Sequence, residues 1–241
     1  MSTAVSGNLS ASIPTYLTKA SIGKKVLMAV SGVIAFGFVT GHMLGNLQVF
    51  MGQDQINTYA AKLQSLGAIL WVIRIFLLTA FVVHIWMGIK LKLENWSARP
   101  VSYQHTTRIQ TSLASRTMIW TGLIILAFVI YHLLHYTALV IKPEFKDLHD
   151  AMGRHDVYTM VIIGFSNYAV SIFYLIAVGL LSYHLSHGVA SMFQSLGLNN
   201  PKWQKRLAGV AWFFTIFLFL GYAAVPVGVL TGCLKLPGGV M

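Results

Sequence analysis

Nine histidines and a single cysteine set the chemical repertoire of this 241-residue chain. Six of the histidines, His42, His84, His132, His135, His184 and His187, fall in stretches that contain no Asp, Glu, Lys or Arg, whereas His105, His149 and His155 lie in polar connections and read as solvated loop residues. An ionisable side chain inside an apolar span is costly and marks a functional position by default. Imidazole is a good neutral ligand for iron, and two imidazoles facing each other fill both axial positions of a haem, which suits electron transfer rather than oxygen chemistry. The lone Cys233 excludes an internal disulfide, a Cys-ligated iron–sulfur cluster and covalent haem attachment through C-x-x-C-H. No Ser/His/Asp arrangement or carboxylate dyad points to hydrolysis.

The elements that must position these histidines are membrane spans. The chain is 56% apolar and only 10% charged, against about 25% charged for a soluble domain. The net charge of +11 is therefore no nucleic-acid footprint, because too little polar sequence exists to build a basic stripe on a soluble body. Charge-free stretches run over 26–53, 75–89, 117–141, 157–201 and 207–234, and about 20 apolar residues cross a bilayer core. The second reaches that length by extending back through Leu66–Ile73 with Arg74 inside it. The 45-residue stretch is too long for one helix, so its first part, 157–167, is expected at the interface.

The expectation is an all-α membrane protein of five transmembrane helices, about 26–50, 67–90, 116–141, 164–190 and 207–232. A cytoplasmic segment 1–25 precedes this single domain, 26–234, and an outer tail 235–241 follows it. The first apolar run is longer than a signal-peptide core and no A-x-A site follows, so the first helix is expected to be retained. No internal repeat is evident.

Segment 1–25 and the loops 90–116 and 191–206 hold 11 of the 17 cations and one acid, Glu94; the opposite connections and the tail hold five cations and five acids. Positive-inside topology then puts the N-terminus in the cytoplasm and the C-terminus outside. With that orientation the histidines acquire depths. His42 and His132 each lie 16 residues from the inner start of their spans, about 24 Å deep at 1.5 Å per residue. His84 and His184 each lie six residues from the inner ends of theirs, about 9 Å deep. Two matched pairs on four helices, roughly 15 Å apart, are what two stacked b-type haems require. Gly41 and Gly45 flank His42, while Gly88 and Gly188 follow His84 and His184 by one turn; each would let a flat macrocycle approach the backbone. The two H-x-x-H spacings, 132/135 and 184/187, put imidazoles on one helix face and suggest a di-metal site, but they lie toward opposite membrane faces.

Across nearly its whole length the sequence resembles the five-helix, di-haem cytochrome b anchor of succinate dehydrogenases and fumarate reductases. The resemblance rests on K-K-V-L-M-A-V-S-G (24–32), G-H-M-L-G-N-L (41–47), N-T-Y-A (57–60), R-x-x-x-L-x-x-x-x-V-H-I-W-M-G-I (74–89), E-N-W-S-A-R-P (94–100), S-R-T-M-I-W-T-G (115–122) and H-L-S-H-G (184–188). It implies His42 with His132 on an outer haem iron and His84 with His184 on an inner one, the helix IV ligand standing four residues before its glycine. It further implies cofactor contacts at Ser31, Arg74, His135, His187, Gly41, Gly88 and Gly188. Arg74, about 10 Å inside the membrane, is a candidate partner for an outer-haem propionate.

The same resemblance implies a flavoprotein and an iron–sulfur subunit docked on the cytoplasmic side, menaquinone as electron partner and a bacterial cytoplasmic membrane as location. Related anchors carry a quinone-site carboxylate near the outer end of the first connection; here Gln64 stands there, with Asp54, Asn46 and Asn57 nearby, and Tyr59 and Lys62 beside them. Two other classes fit the pattern less closely: the haem-binding anchor of another respiratory dehydrogenase, and a transporter whose histidines relay protons.

Overall fold

The computed structural model describes residues 20–98, 113–198, 200 and 202–238. His105, the end of the 94–100 motif and most of the N-terminal segment lie outside the described residues. Five helices are long and apolar enough to cross a membrane: α1 (Ser21–Leu47), α3 (Ala68–Ser97), α4 (Leu113–Tyr136), α6 (Tyr168–Ser195) and α7 (Gln204–Leu230). Two shorter helices, α2 (Gln53–Ser65) and α5 (Val157–Ser166), lie in the connections, and a 3-10 turn extends α1 over Gln48–Met51. No strand occurs among the described residues; one isolated bridge pairs His149 with His155.

These helices are apolar around much of their circumference, as lipid-facing helices must be. On α3, Trp71, Ile75, Phe76, Leu78, Val82 and Trp86 are all exposed, an arrangement that only a hydrocarbon solvent makes favourable. The 45-residue charge-free run is two helices, α5 and the span α6, which starts at Tyr168 rather than at about 164. Asn167 ends α5 and caps α6, its side-chain oxygen accepting from the backbone N–H of Ala169 and Val170. Asp156 caps α5 by accepting from Thr159 N–H. The third span stops at Tyr136 rather than 141, because Thr137 and Ala138 both turn their N–H onto the Leu133 carbonyl and Leu139 adopts a positive φ of 52°.

α1 packs against α3, α6 and α7; α6 packs against α4 and α7; α3 and α4 only graze each other. Four spans therefore stand at the corners of a square in the order α1, α3, α4, α6, with α7 laid against the α1–α6 side. The diagonals of that square are α1 with α4 and α3 with α6. Lys24, buried at the start of α1, pairs with Glu94 near the end of α3 and ties those two helices together at one end of the bundle. At the other end Tyr222 of α7 donates to the Val39 carbonyl of α1 at 2.7 Å.

Candidate functional site

The diagonals of the square carry the histidines. His42 on α1 and His132 on α4 face each other with ring centroids 5.8 Å apart and planes at 80°. His84 on α3 and His184 on α6 do the same at 6.5 Å and 71°. Two trans metal–nitrogen bonds of about 2 Å each, plus roughly 1 Å from each nitrogen to its ring centre, sum to about 6 Å. Both pairs thus have the spacing of two imidazoles on one iron. Helices on a diagonal pack less on each other than neighbours around the square do. Among the described residues no group of three or more His, Cys, Asp or Glu side chains could hold a metal ion.

The second ring nitrogen decides which nitrogen is free. His84 Nδ1 lies 3.2 Å from the Met28 carbonyl, which can only accept, and 3.5 Å from Ser31 Oγ. Ser31 already donates to the Leu27 and Met28 carbonyls, so it too receives the imidazole proton. His184 Nδ1 lies 3.1 Å from Thr121 Oγ1, whose own proton goes to the Thr117 or Met118 carbonyl. His132 Nδ1 lies 3.3 Å from Tyr174 Oη. A proton held on Nδ1 leaves Nε2 as the bare nitrogen for a metal, and such outer partners fix the orientation of ligating histidines. His42 is held by stacking on Phe38, ring centroids 5.4 Å apart.

Thr121 and Tyr174, and two glycines, were not among the residues singled out from sequence. A Cβ on Gly32 would sit 3.3 Å from His84 Cε1, and one on Gly122 would sit 3.5 Å from His184 Cε1. The signal was present: Ser31-Gly32 precedes His42 by the same count as Thr121-Gly122 precedes His132, with nine residues between glycine and histidine in each case. The two diagonals are thus served by one repeated signature, a hydroxyl and a glycine for the inner imidazole and a histidine 11 residues further on, about 16 Å along the helix. Gly41 and Gly188 face open space and Gly88 meets only Met28 Sδ at 4.0 Å.

His135 is 1% exposed, its ring centroid 4.1 Å from Tyr136 and 6.0 Å from Phe145, with Nδ1 3.2 Å from Tyr174 Oη. His187 is partly buried one turn beyond His184. Arg74 is exposed, with its guanidinium over the Trp71 ring at 5.1 Å. A cavity of about 450 Å³ opens beyond the His84–His184 pair, lined by Lys25, Met28, Asn95, Ser191, Gln194 and Ser195. Ser191 and Asn95 follow His184 and His84 by two and three turns on the same faces.

No family model matches this sequence, and neither does any curated protein or solved structure. Identity therefore rests on the residues and their geometry.

The four residues read as a quinone site are placed differently from one another. Asn57 is fully buried; it donates to Asp150 Oδ2 at 3.1 Å and Asp156 Oδ1 at 2.9 Å and accepts from Tyr158 N–H at 3.1 Å. Asp54 pairs with Arg154 at 2.9 Å, and Arg154 also pairs with Asp150 at 2.7 Å. Asn46 donates to the His42 carbonyl at 2.7 Å, and Gln64 is exposed. The result is a polar latch that joins α2 to the connection before α5. Arg154 beside Asp150 holds that carboxyl well below the usual carboxylate range, aided by Asn57 and the Arg154 and Met152 N–H groups against the opposing effect of burial. Burial pushes the Asp156 carboxyl up, but hydrogen bonds from Thr159, Asn57 and Gln53 outweigh it and hold the group below its ordinary value.

Proposed function

We propose that this chain is the membrane-anchor, di-haem cytochrome b subunit of a succinate:quinone oxidoreductase, carrying electrons between an iron–sulfur subunit and menaquinone. It would be the quinone-reactive electron-transfer subunit of an enzyme whose dehydrogenation chemistry sits on a flavoprotein. In this reading the N-terminus and the Lys24–Glu94 end of the bundle face the cytoplasm of a bacterium, and the latch faces outward. The observation that carries it is the diagonal placement of two imidazole pairs, 5.8 and 6.5 Å apart by ring centroid. The sequence resemblance supplies the enzyme class.

A haem with two imidazole ligands supplies one-electron chemistry with both axial positions filled; the chain's own residues do the rest. His42 and His132 hold the outer group, and His84 and His184 the inner one. Met28, Ser31 and Thr121 take the Nδ1 protons of the inner imidazoles, which leaves their Nε2 lone pairs free to hold an iron. Gly32 and Gly122 let those rings lie against the helix backbones. Lys25, Asn95 and Gln194 line the cavity on the inner side, where a cofactor's polar edge would find donors. The apolar walls exclude water, which strengthens every polar contact inside.

A reduced-minus-oxidised spectrum with a haemochrome titration tests the reading: two b-type haems per chain are expected, together with a copurifying covalent-flavin protein. His84→Ala or His184→Ala should remove one haem and His42→Ala the other. A chain with no haem would sink the proposal, and haem without a flavoprotein partner would move it to another respiratory dehydrogenase.

A further inference from the structure

Within the outer pair, α4 offers two imidazoles one turn apart, His132 and His135, and the Tyr174 hydroxyl of α6 touches Nδ1 of both, at 3.3 and 3.2 Å. We propose that Tyr174 is the positioning residue that makes His132 the ligand and His135 its proton acceptor. The inference rests on the haem reading given above and concerns only how the outer imidazole is chosen and held.

The argument is a proton count. A phenol has one proton to give and lone pairs to receive. If the Tyr174 proton went to His132 Nδ1, His132 would carry its own proton on Nε2 and could not bind a metal through that nitrogen. If it goes to His135 Nδ1, Tyr174 Oη is left to accept from His132 Nδ1–H, and His132 Nε2 is bare. With the His135 proton on Nε2, the chain of bonds runs His132 Nδ1–H to Tyr174 Oη, and Tyr174 Oη–H to His135 Nδ1.

Packing keeps it there. Tyr174 is 5% exposed and its ring meets Phe128 and Phe165, each with centroids 5.0 Å away. His135 is 1% exposed and packed against Tyr136 and Phe145, with ring centroids 4.1 and 6.0 Å away.

The inner pair needs no such device. His84 delivers its proton to a backbone carbonyl, and His184 to a hydroxyl whose proton is committed to its own helix. Only in the outer pair is the accepting hydroxyl also within reach of a second imidazole.

Potentiometric titration of the haems in the purified full complex tests this. In Tyr174→Phe the ring stays and the hydroxyl goes, so His132 loses the acceptor that makes it a stronger donor to iron. The outer haem should become easier to reduce, with a reduced-to-oxidised ratio up about tenfold at fixed potential, equivalent to about 59 mV for one electron, while the inner haem is unmoved. Thr121→Val should do the reverse, moving the inner haem alone. If Tyr174→Phe does not assemble, the His135 variants carry the test: His135→Leu frees the Tyr174 proton to bind His132 and should reduce outer-haem occupancy, whereas His135→Gln, which keeps an acceptor, should restore it. Two haems in the parent with an outer potential that ignores Tyr174→Phe, or equal behaviour of the two His135 variants, overturns the assignment of Tyr174 alone. A parent chain without haem overturns the reading beneath it.

Discussion

At the scale of single residues, the imidazole pairing was legible because depth along a helix follows from counting. The partners of the second ring nitrogens were not, because Thr121, Met28 and Tyr174 reach their histidines across helix interfaces that counting along one helix does not fix. The close glycines belong to the same class. A Cβ on Gly32 at 3.3 Å from His84 Cε1 is tight, so the His84 ring must give by a few tenths of an ångström. Gly32→Ala should therefore be tolerated with a small spectral shift of the inner haem, whereas Gly32→Val adds two branched carbons and should cost about 1–3 kcal/mol of overpacking and lower inner-haem occupancy. Gly122→Ala, with its nearest contact at an ordinary 3.5 Å, is the matched control and should leave occupancy unchanged. Haem per chain read from the haemochrome spectrum decides between them.

At the scale of elements, hydropathy located all five spans but misjudged where they end, since polarity does not register caps. Asn167, an uncharged residue in the middle of the longest charge-free run, divides it into α5 and α6. The third span ends five residues before its charge-free stretch does, at a turn around the Leu133 carbonyl. The polar residues of the first connection point to quinone through the resemblance to anchors with a carboxylate there; in the fold, Asn57 spends both its amide protons and its oxygen on the latch. Asn57→Ala would orphan the Tyr158 N–H, while Asp150 and Asp156 keep their donors from Arg154, Met152, Gln53 and Thr159; about 1–3 kcal/mol for the one orphaned group should be visible as a lower melting temperature.

The latch also predicts a pH dependence. The folded carboxyls of Asp150 and Asp156 sit below their ordinary value of 3.8. A depressed carboxylate contributes stability that is fully present above the unfolded value and is lost as pH falls toward the folded one. Melting temperature should thus hold through neutral pH and drop below about pH 4, with a shallower fall in Asp150→Asn; equal slopes in the two proteins would remove Asp150 from the account.

At the scale of the whole molecule, charge asymmetry gives an orientation and the single cysteine gives a way to read it. Cys233 is exposed just beyond the end of α7. If the C-terminus is outside, a membrane-impermeant maleimide should label intact, wall-stripped cells at Cys233 and fail to label sealed inside-out vesicles; the opposite pattern would invert the topology and exchange the two depths. The number of spans was readable in the sequence, but which spans touch was not: no periodicity announces that α3 and α4 barely meet while their diagonal partners carry the chemistry. That near-absence of contact has a mechanical meaning. Whatever both imidazoles of a pair grip becomes a strut between two helices with almost no grip of their own, so the open side of the square is braced from within. If the proposed groups are bound, the bundle is a frame whose rigidity arrives with its cargo.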